Sequence, residues 1–214
     1  EVFETLAYEY SLPRAIHDGY LSPIKAQTIP LNIDLAGVKI QSGDFQAAAL
    51  GSALEPYLDR IAAEMAKICQ NRKTVVFLPL IATSQHMAAL LRRHGLTAAE
   101  VNGMSDDRKE ILDDFHNGKY QVLCNSMLLV EGWDEPAVDC IVCLRPTKVR
   151  ALYAQIVGRG TRLSPGKTEL LLLDFLWQTE QHNLCRPAHL VCQNEEYAAR
   201  VAEILVEQSQ DGSV

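Results

Sequence analysis

The chain has 214 residues, an apolar fraction of 48% and a formal net charge of −7 at pH 7. This composition suits one globular domain with some additional material, and it excludes an intrinsically disordered chain. No apolar run approaches the roughly 20 residues that a membrane span needs, and the N-terminal residues lack the pattern of a signal peptide. We therefore expect no association with a membrane.

The charge and the cysteine content limit which partners and which cellular compartment suit this chain. The acidic net charge argues against a free-standing nucleic-acid-binding module, but residues 140–168 contain six basic residues and no acidic one. Such a basic strip can contact phosphate groups even on an acidic protein. Six cysteines without an extracellular disulfide pattern indicate a reducing, cytoplasmic setting, and a first residue other than Met indicates a piece of a longer chain.

Residues 1–55 are predicted to form a connector. Leu12–Asp18 fits a short helix, and residues 37–43 fit a loop. Between them, residues 24–34 alternate apolar and polar side chains around Pro30, which is typical of an edge strand.

From about residue 55, helical and strand patterns alternate with short links. Thr83 or Ser84, and Ser105, are placed to cap two helices, and Cys140 and Cys143 should be core residues on opposite faces of a strand. The predicted helices cover about 55–69, 84–95, 105–115, 150–157 and 195–208, and the predicted strands 74–78, 98–101, 121–124, 140–144 and 169–175.

This alternation predicts an α/β fold. Because the strands are apolar on both faces, they suit an open parallel sheet with helices on both faces, in a three-layer α/β/α arrangement. Ligands on such sheets bind beyond the carboxyl ends of the strands. The candidate functional loops at that edge are Leu78–Thr83, Asn102–Ser105, Asn125–Pro136 and Arg145–Arg150.

Two stretches imitate nucleotide-binding motifs. Residues 160–168 resemble a phosphate-binding loop, but five residues separate the two glycines where the motif has four, and a strand follows the loop instead of preceding it. The acidic pair at 134–135 could pass for a Mg²⁺ site, but a proline follows at once. We therefore expect this chain to lack the parts that cradle ATP and hold Mg²⁺.

The segment Tyr153–Arg162 gives the clearest chemical signal. Arg159 and Arg162 project from nearly one side of a helix or its end, and Gly158 and Gly160 permit close approach of a backbone or a phosphate. Arginine combines a permanent charge with a fork of donors, which suits the clamping of a transferring phosphoryl group. We expect both arginines at the rim above the carboxyl ends of the strands.

Several stretches resemble, in the family order, the motifs of superfamily 2 helicases. The resemblance covers about residues 60–175 and indicates the DEAD/DEAH-related branch with type III restriction subunits and related DNA repair helicases. Residues 8–21 are similar to the segment that joins the two RecA-like domains in that branch. The similar motifs are Gln155-x-x-Gly158-Arg159-x-x-Arg162 for motif VI, 129–136 for motif V, 75–79 for motif IV, and 101–118 and 145–147 between them.

The resemblance implies the second motor domain of an ATP-dependent helicase or translocase. Residues 1–55 would be the interdomain connector and N-terminal extension, 56–192 the C-terminal RecA-like domain and 193–214 a C-terminal helix. ATP and Mg²⁺ would be bound mainly by an N-terminal RecA-like domain of the same protein, so we expect this chain alone to be inactive as an ATPase. The other partner would be nucleic acid, expected to be DNA.

The resemblance also implies a role for individual residues. Arg159 and Arg162 would be catalytic arginine fingers for the γ-phosphate. The nucleotide cleft would be lined by Gln155, Gly158, Gly132 and Asp134, of which the last two would couple the cleft to the nucleic-acid track. The nucleic-acid backbone would be contacted by Ser126, by amides near Leu78 and Pro79, and by Gly103.

Plainer interpretations stay open. The two arginines could form ordinary ion pairs at a solvated helix end, Ser126 could be a helix N-cap, Asp134 a turn carboxylate and Gln155 an exposed helix residue. No metal site is expected, although four residues have side chains that bind zinc in other proteins. These residues are His182, Cys185, His189 and Cys192.

Two alternatives to a helicase motor domain also remain. The chain could be a non-catalytic domain that docks on nucleic acid or protein. It could also belong to a restriction-type translocase that moves duplex DNA without separating its strands.

Overall fold

A parallel sheet lies at the centre of the described part of the chain. The structure is a computed structural model, and it describes residues 11–35, 37–41, 43–130, 132–178 and 190. The strands are β1 (Ile24–Asp34), β2 (Ile40–Gln41), β3 (Asp44–Phe45), β4 (Thr74–Phe77), β5 (Ala98–Val101), β6 (Val122–Asn125), β7 (Cys140–Cys143) and β8 (Leu170–Gln178). Six of them form one sheet in the order β1-β8-β7-β4-β6-β5, in which every neighbouring pair is parallel.

Helices cover both faces of this sheet. Alternate residues of each strand point to opposite faces, so Val76 joins one hydrophobic cluster and Val75 the other. Helices α2, α3 and α4 pack on the first cluster, and α5 and α6 pack on the second. The helices are α1 (Leu12–His17), α2 (Ala47–Leu54), α3 (Leu58–Ile68), α4 (Ile81–Arg93), α5 (Arg108–His116) and α6 (Arg150–Gly158).

The predicted three-layer α/β/α arrangement is therefore confirmed. Strand β1 lies at the edge of the sheet, as its alternating pattern predicts. Cys140 and Cys143 are both buried and belong to opposite clusters, which confirms their predicted placement in the core.

Helix α2 was missed by the sequence analysis, which assigned residues 47–54 to the connector. Its sequence is rich in small residues and has no side-chain cap, so it carries a weak local signal. Packing stabilises it instead, because Leu50 and Leu54 are buried in the same cluster as Ile61.

Of the predicted helix caps, Thr83 caps its helix from the first turn, whereas Ser105 was wrong as an N-cap. Helix α4 begins at Ile81, and the hydroxyl group of Thr83 in its first turn exchanges hydrogen bonds with the backbone N–H and carbonyl of Leu80. Helix α5 begins at Arg108, because the Ser105 hydroxyl instead accepts the backbone N–H of Asn102. The Thr83 side chain therefore stabilises the start of α4, and the Ser105 side chain stabilises the loop before α5.

The predicted domain boundary after residue 55 crosses a continuous core. Strand β1 pairs with β8 along the edge of the sheet, and its buried residues Leu31 and Ile33 pack in the same cluster as α3. The assignment of residues 56–192 to a separate RecA-like domain stays a prediction. The helix predicted at 195–208 lies outside the described residues.

Gly160 allows the segment after α6 to lie directly on the sheet. A Cβ atom at this position would lie against Leu170 and 2.9 Å from Ile141 Cγ1, and both side chains are fully buried. We expect Gly160→Ala to lower the free energy of unfolding by about 1–3 kcal/mol through overpacking. Denaturant titration of the chain measures this change.

Gly158→Ala is the matched control. Gly158 is the last residue of α6, and a Cβ atom there would have nothing within 4 Å. Alanine favours a helix over glycine, so this variant should unfold at the same or a higher denaturant concentration. Equal destabilisation by both substitutions would contradict the close packing of Gly160.

Candidate functional site

The two arginines after α6 contact the segment that resembles motif V. Arg159 Nη1 donates a hydrogen bond of 2.7 Å to the backbone carbonyl of Trp133. Arg162 Nη1 forms an ion pair with the carboxylate of Asp134. The fold therefore brings together two predicted site segments that are 26 and 28 residues apart in sequence.

The position of these arginines differs from the prediction. They do not lie at the rim above the carboxyl ends of the strands, because α6 starts near that rim and runs about 13 Å back along the sheet. Gly160, between them, packs on Ile141 and Leu170 at the amino ends of β7 and β8. The arginines thus lie on the α5–α6 face of the sheet.

The predicted nucleotide-cleft residues share this face. Gln155 is exposed and precedes Arg159 by one helical turn, which places both on the same side of α6. Gly132 is exposed and has a φ angle of 69°, a backbone conformation that glycine adopts without strain. We refer to Gly132, Asp134, Gln155, Gly158, Arg159 and Arg162 as the arginine face.

The neighbouring acids Asp134 and Glu135 have opposite environments. Asp134 is 66% exposed and meets Arg162, whereas Glu135 is 5% exposed and accepts a 2.7 Å hydrogen bond from His116. The Nζ atom of Lys73 lies 3.7 Å from the same buried carboxylate. The two acids therefore do not form a Mg²⁺-holding pair.

Trp133 is held by the neighbouring helix. Its ring packs at a tilt on Phe115 of α5, with 6.1 Å between the ring centroids. Its backbone carbonyl can therefore act as a fixed acceptor for Arg159.

The predicted nucleic-acid residues lie on a second surface, at the carboxyl ends of the strands. Leu78 and Pro79 follow β4, Ser126 follows β6, and Gly103 follows β5 two residues after its end. Because β4, β6 and β5 are neighbours in the sheet, these loops are also neighbours. We refer to these four residues as the carboxyl rim.

The backbone at Leu78–Leu80 offers fewer donors than predicted. The Leu78 N–H donates to the carbonyl of Asn125, the Leu80 N–H donates to Thr83, and proline has no N–H. These two N–H groups are used within the chain in this conformation, and binding of phosphate by amides near this segment stays a prediction. Exposed Gly103 and half-buried Ser126 stay predicted contacts.

Asn125 is a positioning residue that the sequence analysis missed. Its side chain is fully buried at the end of β6, donates 3.0 Å to the carbonyl of Val76 and accepts 3.2 Å from the N–H of Leu129. It thereby caps the short turn over 128–130, the role that had been considered for Ser126. In the sequence, the signal for this role was a single amide side chain at the end of an apolar strand.

Polar groups of the loop after β7 form hydrogen bonds and an ion pair with another segment of the chain. The hydroxyl group of Thr147 and the backbone N–H of Lys148 donate 2.8 Å and 3.1 Å to the carboxylate of Asp44, and Arg145 lies 3.9 Å from it. This part of the predicted basic strip therefore contacts the β2–β3 hairpin.

No cluster of His, Cys, Asp or Glu that could hold a metal ion occurs among the described residues. The four residues considered for zinc lie outside them. In the same part of the chain, no helix combines the length and apolar character needed to cross a membrane.

The fold and the arginine face together define a RecA-like α/β domain of the helicase type. The family described as "Helicase conserved C-terminal domain" matches residues 57–164, and the chain belongs to this family, within superfamily 2.

Known proteins similar to this chain are helicases and restriction subunits. It is 30% identical to IRC3 of Saccharomyces cerevisiae, described as a candidate ATP-dependent helicase, over 82% of this chain. It is 26% identical to the type I restriction enzyme EcoAI endonuclease subunit of Escherichia coli over 84% of this chain. The chain spans 26% of the length of each.

Solved structures agree in fold. A fragment of a candidate HsdR subunit of a type I restriction enzyme from Vibrio vulnificus superimposes with a TM-score of 0.64 at 25% identity, covering 80% of this chain and 35% of that one. The C-terminal domain of the DEAD-box protein Dbp5 has a TM-score of 0.51 at 20% identity, covering 58% of this chain and 72% of that one.

Asn125→Ala tests how the segment after β6 is fixed. The substitution leaves the Val76 carbonyl and the Leu129 N–H without their partner, so we expect a loss of about 1–3 kcal/mol in the free energy of unfolding. Denaturant titration measures the loss. Asn117→Ala, at an exposed helix end, should stay within about 0.5 kcal/mol of wild type. A similar, small effect of both would contradict the assigned role of Asn125.

Proposed function

We propose that this chain is the second motor domain of an ATP-dependent nucleic-acid helicase or translocase. The observation that carries the proposal is the convergence of Arg159 and Arg162 on Trp133 and Asp134. The two arginines place two permanent positive charges on one partly exposed face of the domain, and the domain belongs to a helicase family. Similarity to ATP-dependent helicases and restriction subunits supports the same function.

In this proposal, ATP is held mainly by an N-terminal RecA-like domain of the same protein, together with Mg²⁺. The arginine face closes on that nucleotide, with Gln155 and Gly158 beside the cleft. Arg159 and Arg162 act on the γ-phosphate, where a guanidinium supplied across an interface can contribute about 10³–10⁵ in rate. The described residues offer a fork of donors for phosphate oxygens and no carboxylate cluster for Mg²⁺.

Asp134 gives the site a means of responding to the nucleotide. Its carboxylate occupies the Arg162 guanidinium, and a γ-phosphate would compete with it for the same donors. Release of Asp134 would free the Gly132–Asp134 segment to move. Closure by ATP and opening after hydrolysis would then alternate two arrangements of this segment.

The two surfaces are connected by one short stretch of chain. Residues 126–134 leave the carboxyl rim at Ser126 and reach the arginine face at Trp133 and Asp134. We propose that this stretch couples the state of the nucleotide to nucleic acid held at the rim. Contacts from Ser126 and Gly103 would go to the nucleic-acid backbone and give little sequence preference.

DNA is the expected nucleic acid, and movement along duplex DNA without strand separation is the second candidate function. Similarity to two type I restriction subunits favours that candidate, since one of them superimposes over 80% of this chain. A DNA repair role and a cytoplasmic location belong to the same proposal.

Arg159→Ala tests the arginine role in the natural protein that contains this chain. We expect ATP turnover stimulated by nucleic acid to fall at least about 10³-fold, because the transferring phosphoryl group loses its clamp. Binding of a fluorescent ATP analogue should change little, since another domain holds the nucleotide.

Two further variants complete that experiment. Arg159→Lys keeps the charge but not the planar fork, so it should recover little turnover. Arg93→Ala removes an exposed arginine at the end of α4 and should hydrolyse ATP like wild type. Unchanged turnover in Arg159→Ala would refute the proposed role.

The 214-residue chain alone should not hydrolyse ATP. The parts that cradle the β- and γ-phosphates and hold Mg²⁺ would belong to the other domain. Phosphate release from ATP and Mg²⁺, with and without DNA, measures this directly. Turnover by the isolated chain that Arg159→Ala abolishes would show that the nucleotide site is contained in it.

A further inference from the structure

Lys167 lies in the loop between α6 and β8, and its side chain turns into the protein. The ammonium has three protons and no lone pair, so several acceptors can fill its whole donor capacity. Its Nζ atom lies within hydrogen-bonding distance of four backbone carbonyl oxygens, those of Pro136 at 3.3 Å, Val138 at 2.6 Å, Gly160 at 2.5 Å and Arg162 at 2.8 Å.

These oxygens come from the two segments that carry the arginine face. Pro136 and Val138 follow Asp134 by two and four residues, Gly160 lies between the two arginines, and Arg162 is the second of them. A charged donor forms stronger hydrogen bonds than a neutral one. Lys167 thus joins the backbones of two segments that Arg159 and Arg162 already connect.

The local sequence around Lys167 imitates a phosphate-binding loop, yet its donors are used within the protein. Gly166, with a φ angle of 80°, forms the turn that directs the following lysine inward. The Arg162 carbonyl also accepts a 3.1 Å hydrogen bond from the Ser22 hydroxyl. Lys167 therefore acts on the position of the backbone.

We propose that Lys167 is a positioning residue for ATP hydrolysis. Its ammonium fixes the 136–138 backbone against the 160–162 backbone, and this sets the guanidinium groups of Arg159 and Arg162 relative to Asp134. The proposal rests on the arginine role proposed above. A displacement of about 1 Å can cost on the order of 100-fold in rate, so a residue that does not touch the nucleotide can control turnover.

The protonation state of Lys167 offers a specific readout. Burial lowers the pKa of Lys167 to about 8, and the charge of Asp139 opposes the shift. As pH rises through that value, the amine loses one N–H and holds fewer carbonyls, whereas arginine at this position would stay charged. The charged groups on the surrounding segments are Asp134, Glu135, Asp139, Arg159, Arg162, Arg72 and Glu169.

The test compares Lys167→Met and Lys167→Arg in the natural protein that contains this chain. We expect Lys167→Met to lower kcat for ATP at least about tenfold and to leave KM within about twofold, because the arginines are misplaced while nucleotide binding is retained. Lys167→Arg should keep kcat at least about threefold above Lys167→Met, and its kcat relative to wild type should rise above pH 8.

Controls separate positioning from general loss of stability. Lys109→Met removes an exposed lysine of α5 and should match wild type. Leu50→Ala truncates the core on the other face of the sheet, and at a similar loss in melting temperature it should keep kcat. Hydrogen exchange at residues 132–138 and 160–162 should accelerate in Lys167→Met and not in Leu50→Ala.

The outcomes distinguish this proposal from the proposed function. Wild-type kcat in Lys167→Met, beside an inactive Arg159→Ala, overturns the positioning role and leaves the arginine role intact. An equal fall in kcat for Leu50→Ala and Lys167→Met also overturns it, since stability then explains both. Full turnover in Arg159→Ala overturns the proposed function itself.

Discussion

The contact of Arg159 and Arg162 with Trp133 and Asp134 is the interaction on which the functional surface depends. Neither arginine is placed by its own helix alone, because α6 ends at Gly158 before both. Their side chains are directed by acceptors on the β6–β7 crossover. That crossover is held in turn by Phe115, which packs on Trp133, and by the buried Glu135 with its partners His116 and Lys73. Chemistry proposed for the arginines thus relies on contacts from α5 and from the residue before β4.

The parallel sheet separates two activities that a helicase-type domain must connect. The residues proposed to contact the nucleotide lie on the α5–α6 face, and the predicted nucleic-acid residues lie at the carboxyl ends of β4, β5 and β6. Ser126 and Asp134 are eight residues apart in the sequence, and we propose that movement at Asp134 reaches Ser126 along this short stretch. Asn125 anchors the first end of this stretch through Val76 and Leu129. Coupling between the surfaces therefore needs no long path through the protein.

Charge inside this domain is placed to hold loops in position. Glu135 and Asp44 each accept hydrogen bonds from another segment, and Lys167 donates to carbonyls of two segments. A buried charge stabilises an arrangement only when its partners are complete, because removing one partner leaves an uncompensated group. In this domain, such groups connect irregular segments between the strands.

The sequence by itself determined the order and type of most elements, since apolar periodicity and short links are local properties that predict an α/β sheet with two covered faces. It also identified the arginines through their spacing, and the Gly132–Asp134 segment through its resemblance to a helicase motif. Only the tertiary structure decided that the arginines lie on the face of the sheet and not at its carboxyl rim, because this depends on the direction and length of α6. Tertiary packing likewise decided the existence of α2, the partners of the Asn125 and Lys167 side chains, and the use of the Leu78 and Leu80 amides. Each of these depends on a partner far away in sequence, and no local pattern records which backbone group a side chain will meet.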